Sequence, residues 1–163
     1  MMTKKRRAWL YRWLTKTHNF SDKYAREALR CYTAEEDPDT TNEAQLTKKN
    51  VRVLVKRIMA DPDWKWLRRK SYGGRRFCLR FTGRWRTDAW GGQNGITIPD
   101  HPRSRTIHTV VHEMAHTALT GGGHGHTFLQ LMLCLSRRFE GLTYANRLET
   151  RLRARGAFRR RHK

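Results

Sequence analysis

The segment His112-Glu113-Met114-Ala115-His116 constrains this chain more than any other part of its sequence. On a helix, residues i and i+4 share one face, with about 6 Å between their Cβ atoms, so the rings of His112 and His116 can bind the same metal ion. Glu113, next to the first ring, can hold and deprotonate a metal-bound water. The pattern therefore predicts a helical zinc site in which Glu113 is the catalytic residue.

The sequence around this motif is depleted of charge but rich in histidine. Residues 106–136 contain no Lys or Arg, although those types make up 35 of the 163 residues, and Glu113 is their only carboxylate. Cationic side chains repel a metal cation, so few of them are expected near a metal site. Uncharged surroundings also strengthen the electrostatic interactions inside such a site. A buried helix pair would also lack Lys and Arg, but it would not need so many imidazoles. Five of the eight histidines lie here: His108, His112, His116, His124 and His126.

The third metal ligand has to come from outside the motif, because catalytic zinc sites use three protein ligands and leave one position for water. His124 follows three consecutive glycines, which can reverse the chain and return it to the metal. His126, two residues further on, could take its place. Glu140 is the carboxylate at the distance that a thermolysin-like site would require. The residues themselves leave these three candidates open.

The motif and its surroundings resemble a known family. HExxH, a short glycine-containing connection and His-Gly-x-x-Phe, here His124, Gly125 and Phe128, are similar to the SprT-like zinc metallopeptidases and to related small metallohydrolases of bacteria and phages. The resemblance extends over residues 75–140 and is absent from the first 70 residues. It implies a zincin fold, a Zn²⁺ ion bound by His112, His116 and His124, Glu113 as the base, and protein substrates that are bound or crosslinked to DNA.

The net charge of +21 indicates a polyanionic partner. Residues 1–33 carry +7, residues 48–105 carry +12 and residues 137–163 carry +8, whereas residues 34–47 form an acidic loop of charge −5. We therefore expect nucleic acid, most simply DNA, to bind the basic surface and arms. Six tryptophans among the basic residues could stack on bases, although core packing is their commoner role: Trp9, Trp13, Trp64, Trp66, Trp85 and Trp90.

Hydrophobic periodicity and turn residues predict an α+β protein with a zincin-like fold, in which a small three-stranded sheet packs on the active-site helix and further helices. The predicted strands form a meander of residues 76–81, 84–90 and 96–98. The predicted helices cover residues 4–17, 21–34, 48–60, a segment starting near Ser104, a segment from Thr127, and residues 142–155. We divide the chain into a basic helical region 1–70, a metallopeptidase core 71–155 and a basic tail 156–163, within one compact domain.

The cysteines and the hydropathy of the chain indicate the cellular compartment in which we expect the protein to lie. Cys31, Cys78 and Cys134 are isolated, which predicts neither a disulfide framework nor a second, structural zinc, and fits a reducing environment. No apolar run approaches 18 residues, so we expect no membrane span and no membrane partner. A cytoplasmic protein, nucleoid-associated or encoded by a phage or virus, is the corresponding expectation.

The leading hypothesis is a zinc-dependent metallopeptidase associated with DNA or nucleoprotein. Glu113 would transfer the proton of the metal-bound water to the leaving amine, and His126, His108 or Tyr144 would stabilise the oxyanion. The strand at residues 96–98 would pair, as an edge strand, with an extended substrate.

Two alternatives belong to other functional classes. A metal-dependent nuclease would also suit a small basic protein with three histidines, but Glu113 inside the first histidine pair favours hydrolysis of an amide. A non-catalytic nucleic-acid-binding or packaging protein with a zincin fold would use the metal structurally, and its function would survive Glu113→Gln.

Overall fold

A computed structural model of the chain describes residues 4–12, 15–16, 21–35, 45–83, 88–101, 104–120 and 123–157. Within these residues the protein has the expected α+β class, with seven helices and one three-stranded sheet. None of these helices is both long and apolar enough to cross a membrane. The elements in chain order are α1 (Lys4–Arg12), α2 (Asp22–Glu35), α3 (Lys48–Ala60), α4 (Pro62–Tyr72), β1 (Cys78–Thr82), β2 (Trp90–Gly92), β3 (Gly95–Pro99), α5 (Ile107–Thr117), α6 (His126–Phe139) and α7 (Leu142–Ala154).

The sheet has the order β1-β3-β2, so the predicted meander is wrong. Gln93 and Asn94 form a two-residue turn that forces β2 and β3 into antiparallel pairing, with Gly92 opposite Gly95. β1 pairs with the other side of β3 in parallel. The strand predicted at residues 96–98 is therefore central and not an edge strand. Residues 84–87, the start of the predicted second strand, lie outside the described residues.

Gly95 permits the close contact between β1 and β3. Its φ of +124° lies in a region that L side chains rarely adopt, and an added Cβ would lie 1.8 Å from the carbonyl oxygen of Cys78. The parallel pairing that begins with Cys78 opposite Gly95 therefore requires glycine at this position.

Helix α5 lies at the centre of the molecule. Every residue from Val110 to Ala118 is buried, and the helix packs against α3, α6, β2 and β3. A helix that is covered on all sides needs an uncharged, largely apolar sequence, which explains the absence of Lys and Arg here. The helix begins two residues later than expected. Thr106 caps it by accepting the backbone N–H of Thr109 at 3.1 Å, whereas Ser104 lies before the cap.

Helix α4 was missed because its start looks like the end of α3. Asp61-Pro62-Asp63 predicts a helix terminus, but the Asp61 carboxylate accepts the backbone N–H groups of Asp63 and Trp64 and thereby caps a second helix. Pro62 occupies the first helical position, where its fixed φ is favourable and its lack of an N–H costs no hydrogen bond. The same three residues thus end one helix and begin the next.

The main hydrophobic core contains side chains from α2, α3, α4, β3, α5, α6 and α7. The 3.6-residue periodicity of the sequence predicts one apolar, inward face for α3 and one for α6, and both are confirmed, although Phe139 at the end of the second face is partly exposed. The buried predicted residues are Val51, Leu54, Val55, Ile58, Phe128, Leu131, Met132 and Leu135.

Replacing Gly95 with Ala should lower the free energy of unfolding by at least about 2 kcal/mol, because the Cβ contacts the backbone of β1 at an unfavourable φ. Gly74→Ala is the matched control: nothing lies within 4 Å of the added Cβ there, and a change within about 0.5 kcal/mol is expected. Urea denaturation measures both values. Equal stability of the two variants would contradict the described β1–β3 pairing.

Candidate metal centre

Three imidazoles converge where α5 faces the start of α6. The Nε2 atom of His112 lies 3.2 Å from Nε2 of His116 and 3.2 Å from Nε2 of His124. Nitrogen ligands at about 2.0–2.1 Å from a tetrahedral zinc ion are about 3.3 Å apart, so these two separations fit ligands of one ion. His124, two residues before α6, therefore lies against the helical pair, and it is the third ligand that the family resemblance implies.

Two aromatic side chains hold the imidazoles in this arrangement. Phe128 of α6 contacts all three rings, with centroid distances of 5.1 Å to His112, 4.3 Å to His116 and 4.7 Å to His124. Tyr32 of α2 stacks on His112 at 5.7 Å and meets His124 edge-on at 4.9 Å. The histidines are at most 9% exposed. The cluster is therefore rigidly packed and largely shielded from water.

The protonation of the cluster suits a cation. Burial and the charge of His112 lower the pKa of His124 to about 3 and hold the pKa of His116 well below its usual range. Both rings are therefore neutral and present nitrogen lone pairs. A proton on Nε2 of His112 could form a good hydrogen bond with only one of the two nitrogens that face it, Nε2 of His116 or Nε2 of His124. A single cation, in contrast, can bind the lone pairs of all three nitrogens.

Glu113 is buried beside the cluster and contacts β2. Burial raises the pKa of this carboxyl to about 7; His112 and the Gly91 N–H counteract the rise, and the Glu35 charge adds to it. An added Cβ on Gly91 would lie 2.2 Å from the carbonyl oxygen of Glu113, so glycine is needed for β2 to approach α5 this closely. A carboxyl group that titrates near neutral pH can both accept and return a proton.

Helix α2 supplies three further side chains that sequence reasoning missed: Cys31, Tyr32 and Glu35. The predicted acidic loop is wrong at its start, because Glu35 is the buried last residue of α2 and lies 2.8 Å from Nδ1 of His112. The signal was present, since Ala28, Tyr32 and Glu35 share one helical face. Residues 36–44 of that predicted loop lie outside the described residues.

Two side-chain groups in the described part of the chain are arranged so that they could hold a metal ion. Cys31, His112 and His124 place ligand atoms within 4.8 Å of one another, and so do Glu35, His108 and His112. Both groups include His112 and draw on α2. The described structure therefore contains buried histidine, cysteine and carboxylate groupings that could bind a metal.

The remaining candidate residues lie next to His108 or on the surface. Glu140 contacts Nδ1 of His108 at 3.3 Å and accepts the Ser136 hydroxyl at 2.7 Å, so it belongs to the His108 side of α5. Tyr144 packs on His108, with ring centroids 5.5 Å apart. His126 is the exposed first residue of α6. Of the predicted site residues, His112 and His124 share one grouping with Cys31, His108 and His112 share the other with Glu35, and His116 contacts His112 but belongs to neither grouping.

Comparison of this chain with models of known protein families, with curated proteins and with solved structures finds no match. The likeness to SprT-like metallopeptidases therefore rests on the motif residues of the sequence. What the centre does has to be argued from its own geometry.

His124→Ala should remove bound zinc, as should His112→Ala and His116→Ala, because two remaining histidines cannot hold the ion tightly. The wild-type protein should retain about one Zn²⁺ per chain after gel filtration, measured by atomic emission. His126→Ala and Glu140→Ala are the controls and should retain it, since neither side chain faces the cluster. Loss of zinc from Glu140→Ala but not from His124→Ala would indicate a thermolysin-like ligand set instead.

Proposed function

We propose that this protein is a zinc-dependent metallopeptidase with a zincin-like arrangement of its active-site helix. The observation that carries the proposal is the convergence of Nε2 atoms from His112, His116 and His124 beside the buried carboxyl of Glu113. The three histidines would hold the ion. When bound, zinc polarises the carbonyl group of the scissile peptide bond and lowers the pKa of a water molecule.

Glu113 would act as the general base and then as the general acid. Its pKa of about 7 allows it to take a proton from water and return it to the leaving amine near neutral pH. The N–H of Gly91 donates to this carboxylate and fixes its orientation relative to α5. The nitrogen of a cleaved peptide bond leaves as an amine and has to be protonated, and Glu113 is the carboxyl group that would supply this proton.

The edge strand β2 is suited to bind an extended peptide. It lies beside Glu113 through Gly91, and among the described residues it pairs only with β3, on one side. An extended chain can add to such an edge through backbone hydrogen bonds. β2 therefore takes the substrate-binding role that the sequence suggested for the strand at residues 96–98.

We also propose that nucleic acid binds the exposed side of α3 and α4. Lys49, Arg52 and Lys56 are exposed at helical spacing on α3, and no carboxylate of the described residues forms an ion pair with them. Trp66 on α4 is 61% exposed, with the ammonium of Lys70 5.1 Å from its ring centre. Cations that track phosphates beside an exposed aromatic ring are typical of surfaces that bind single strands.

The four tryptophans that the structure describes divide into one buried and three exposed side chains. Trp64 is part of the core and donates its indole N–H to the carbonyl of Met114, so it cannot stack on a base. Trp9, Trp66 and Trp90 are each more than half exposed. Trp13 and Trp85 lie outside the described residues. Three of the four tryptophans that the structure describes are thus accessible enough to stack on a base.

Glu113→Gln should reduce cleavage of a casein substrate by at least about 100-fold, because an amide cannot accept and return the proton. Zinc content should remain that of the wild type, since Glu113 is not among the proposed ligands. The matched control is Glu149→Gln, which removes a carboxylate paired with Arg137 and Arg153 away from the centre. Undiminished proteolysis by Glu113→Gln would exclude the proposed mechanism, and a packaging function would survive the change.

Replacing Lys49, Arg52 and Lys56 with Gln should weaken binding of single-stranded DNA and reduce the slope of log affinity against log salt by about 0.7 per lost phosphate contact. Fluorescence anisotropy at several salt concentrations measures this slope, and zinc content serves as the control for folding. A second variant neutralises the arms, whose contribution we also expect to be electrostatic: Lys4, Lys5, Arg6, Arg7, Arg159, Arg160 and Arg161. Unchanged slopes in both variants would contradict association through basic surface.

A further inference from the structure

The carboxylate of Glu35 contacts three polar side chains from two helices. Its Oε1 atom lies 2.8 Å from Nδ1 of His112 and 3.4 Å from Nε2 of His108, and it accepts the thiol of Cys31 at 3.2 Å. The Glu35 side chain is only 9% exposed. An ionised carboxylate is strongly disfavoured in such surroundings unless donors and cations compensate it. This concentration of partners on one oxygen is therefore the reason that Glu35 can be buried.

The contacts continue through α5 into α6. The other ring nitrogen of His108 lies 3.3 Å from the Glu140 carboxylate, which is held in turn by the hydroxyl of Ser136. His108 thus lies between the carboxylates of Glu35 and Glu140. The chain of polar contacts fixes the end of α2 against the first turns of α5.

The position of Glu35 determines which nitrogen of His112 is available to a metal. A carboxylate can only accept a hydrogen bond, so Nδ1 of His112 carries a proton, and Nε2 is the nitrogen whose lone pair can bind a metal once its own proton is lost. Nε2 is the atom that faces His116 and His124. Without the carboxylate, the imidazole could adopt the other tautomer or rotate, and the three nitrogens would no longer converge.

We propose that Glu35 is the positioning residue of the metal centre, which fixes the tautomer and orientation of His112 and increases the basicity of Nε2. This role rests on the proposed zinc site but not on peptidase activity. Carboxylate partners of metal-binding histidines typically contribute 10- to 100-fold in metal affinity. The partner comes from α2, in a part of the chain that no zinc motif covers.

The test compares Glu35→Gln and Glu35→Asp with the wild-type protein. Zinc affinity is measured by competition with a chromophoric chelator, and the d–d absorption of the Co²⁺-substituted protein reports the geometry around the metal. The Kd for zinc should rise about 10- to 100-fold in Glu35→Gln, with an altered Co²⁺ spectrum. Glu35→Asp keeps the charge and should restore part of the affinity. Glu149→Gln, which removes a carboxylate of surface ion pairs, should change neither quantity.

The outcomes separate this inference from the proposed function. A purely structural role would lower the thermal midpoint of the metal-free protein while the zinc Kd and the Co²⁺ spectrum stayed those of the wild type, and that result would overturn the proposal. If Glu35→Gln does not fold, a Kd for Glu35→Asp equal to that of the wild type would overturn it as well. Zinc retention by His112→Ala would refute the metal centre itself, whereas a zinc-binding but proteolytically inactive wild-type protein would refute only the peptidase.

Discussion

The burial of α5 from Val110 onward is the constraint on which the rest of the structure depends. This helix carries polar groups into the interior, and each of them needs a partner that the helix cannot supply. Glu35 serves His112, and the N–H of Gly91 serves Glu113. Near the end of the helix, three side chains of α4 donate hydrogen bonds to backbone carbonyl groups. Trp64 donates to Met114, Arg68 to Thr117 and Tyr72 to Leu119. The surrounding elements can thus be understood as the hydrogen-bonding environment of one helix.

Sequence reasoning succeeded where a local pattern decides the structure. The limits of α3 and the inward faces of α3 and α6 follow from 3.6-residue periodicity, and the grouping of His112 with His116 follows from helical geometry alone. Two of the failures have a common cause, since both depended on contacts between distant segments. The strand order follows from the pairing of β2 with one edge of β3, which leaves the other edge for β1. The role of Glu35 follows from its contact with His112, which lies 77 residues further along the chain. Strand order leaves no periodic signal, and the shared helical face of Ala28, Tyr32 and Glu35 does not identify the histidine that it contacts.

The distribution of charge separates two kinds of surface. Cations are excluded from the segment that forms the centre, while α3 carries basic residues on its exposed face and α4 carries them beside Trp66. Arg68 is an exception, because its guanidinium is buried among the rings of Trp64, Tyr72 and Phe77 and binds the carbonyl of Thr117 at the end of α5. A cation at a helix C-terminus is favourable, so this one stabilises α5 without entering its sequence.

The contribution of α2 to the centre changes what counts as the smallest working unit of this protein. The recognisable motifs begin after residue 70, and a fragment chosen on that basis would keep all three histidines and Glu113. It would nevertheless lack the ring of Tyr32 that packs on His112 and His124, and the carboxylate beside Nδ1 of His112. Transfer of the histidine motif to another scaffold, or a search guided by that motif, would therefore reproduce the ligands without the environment that orients them.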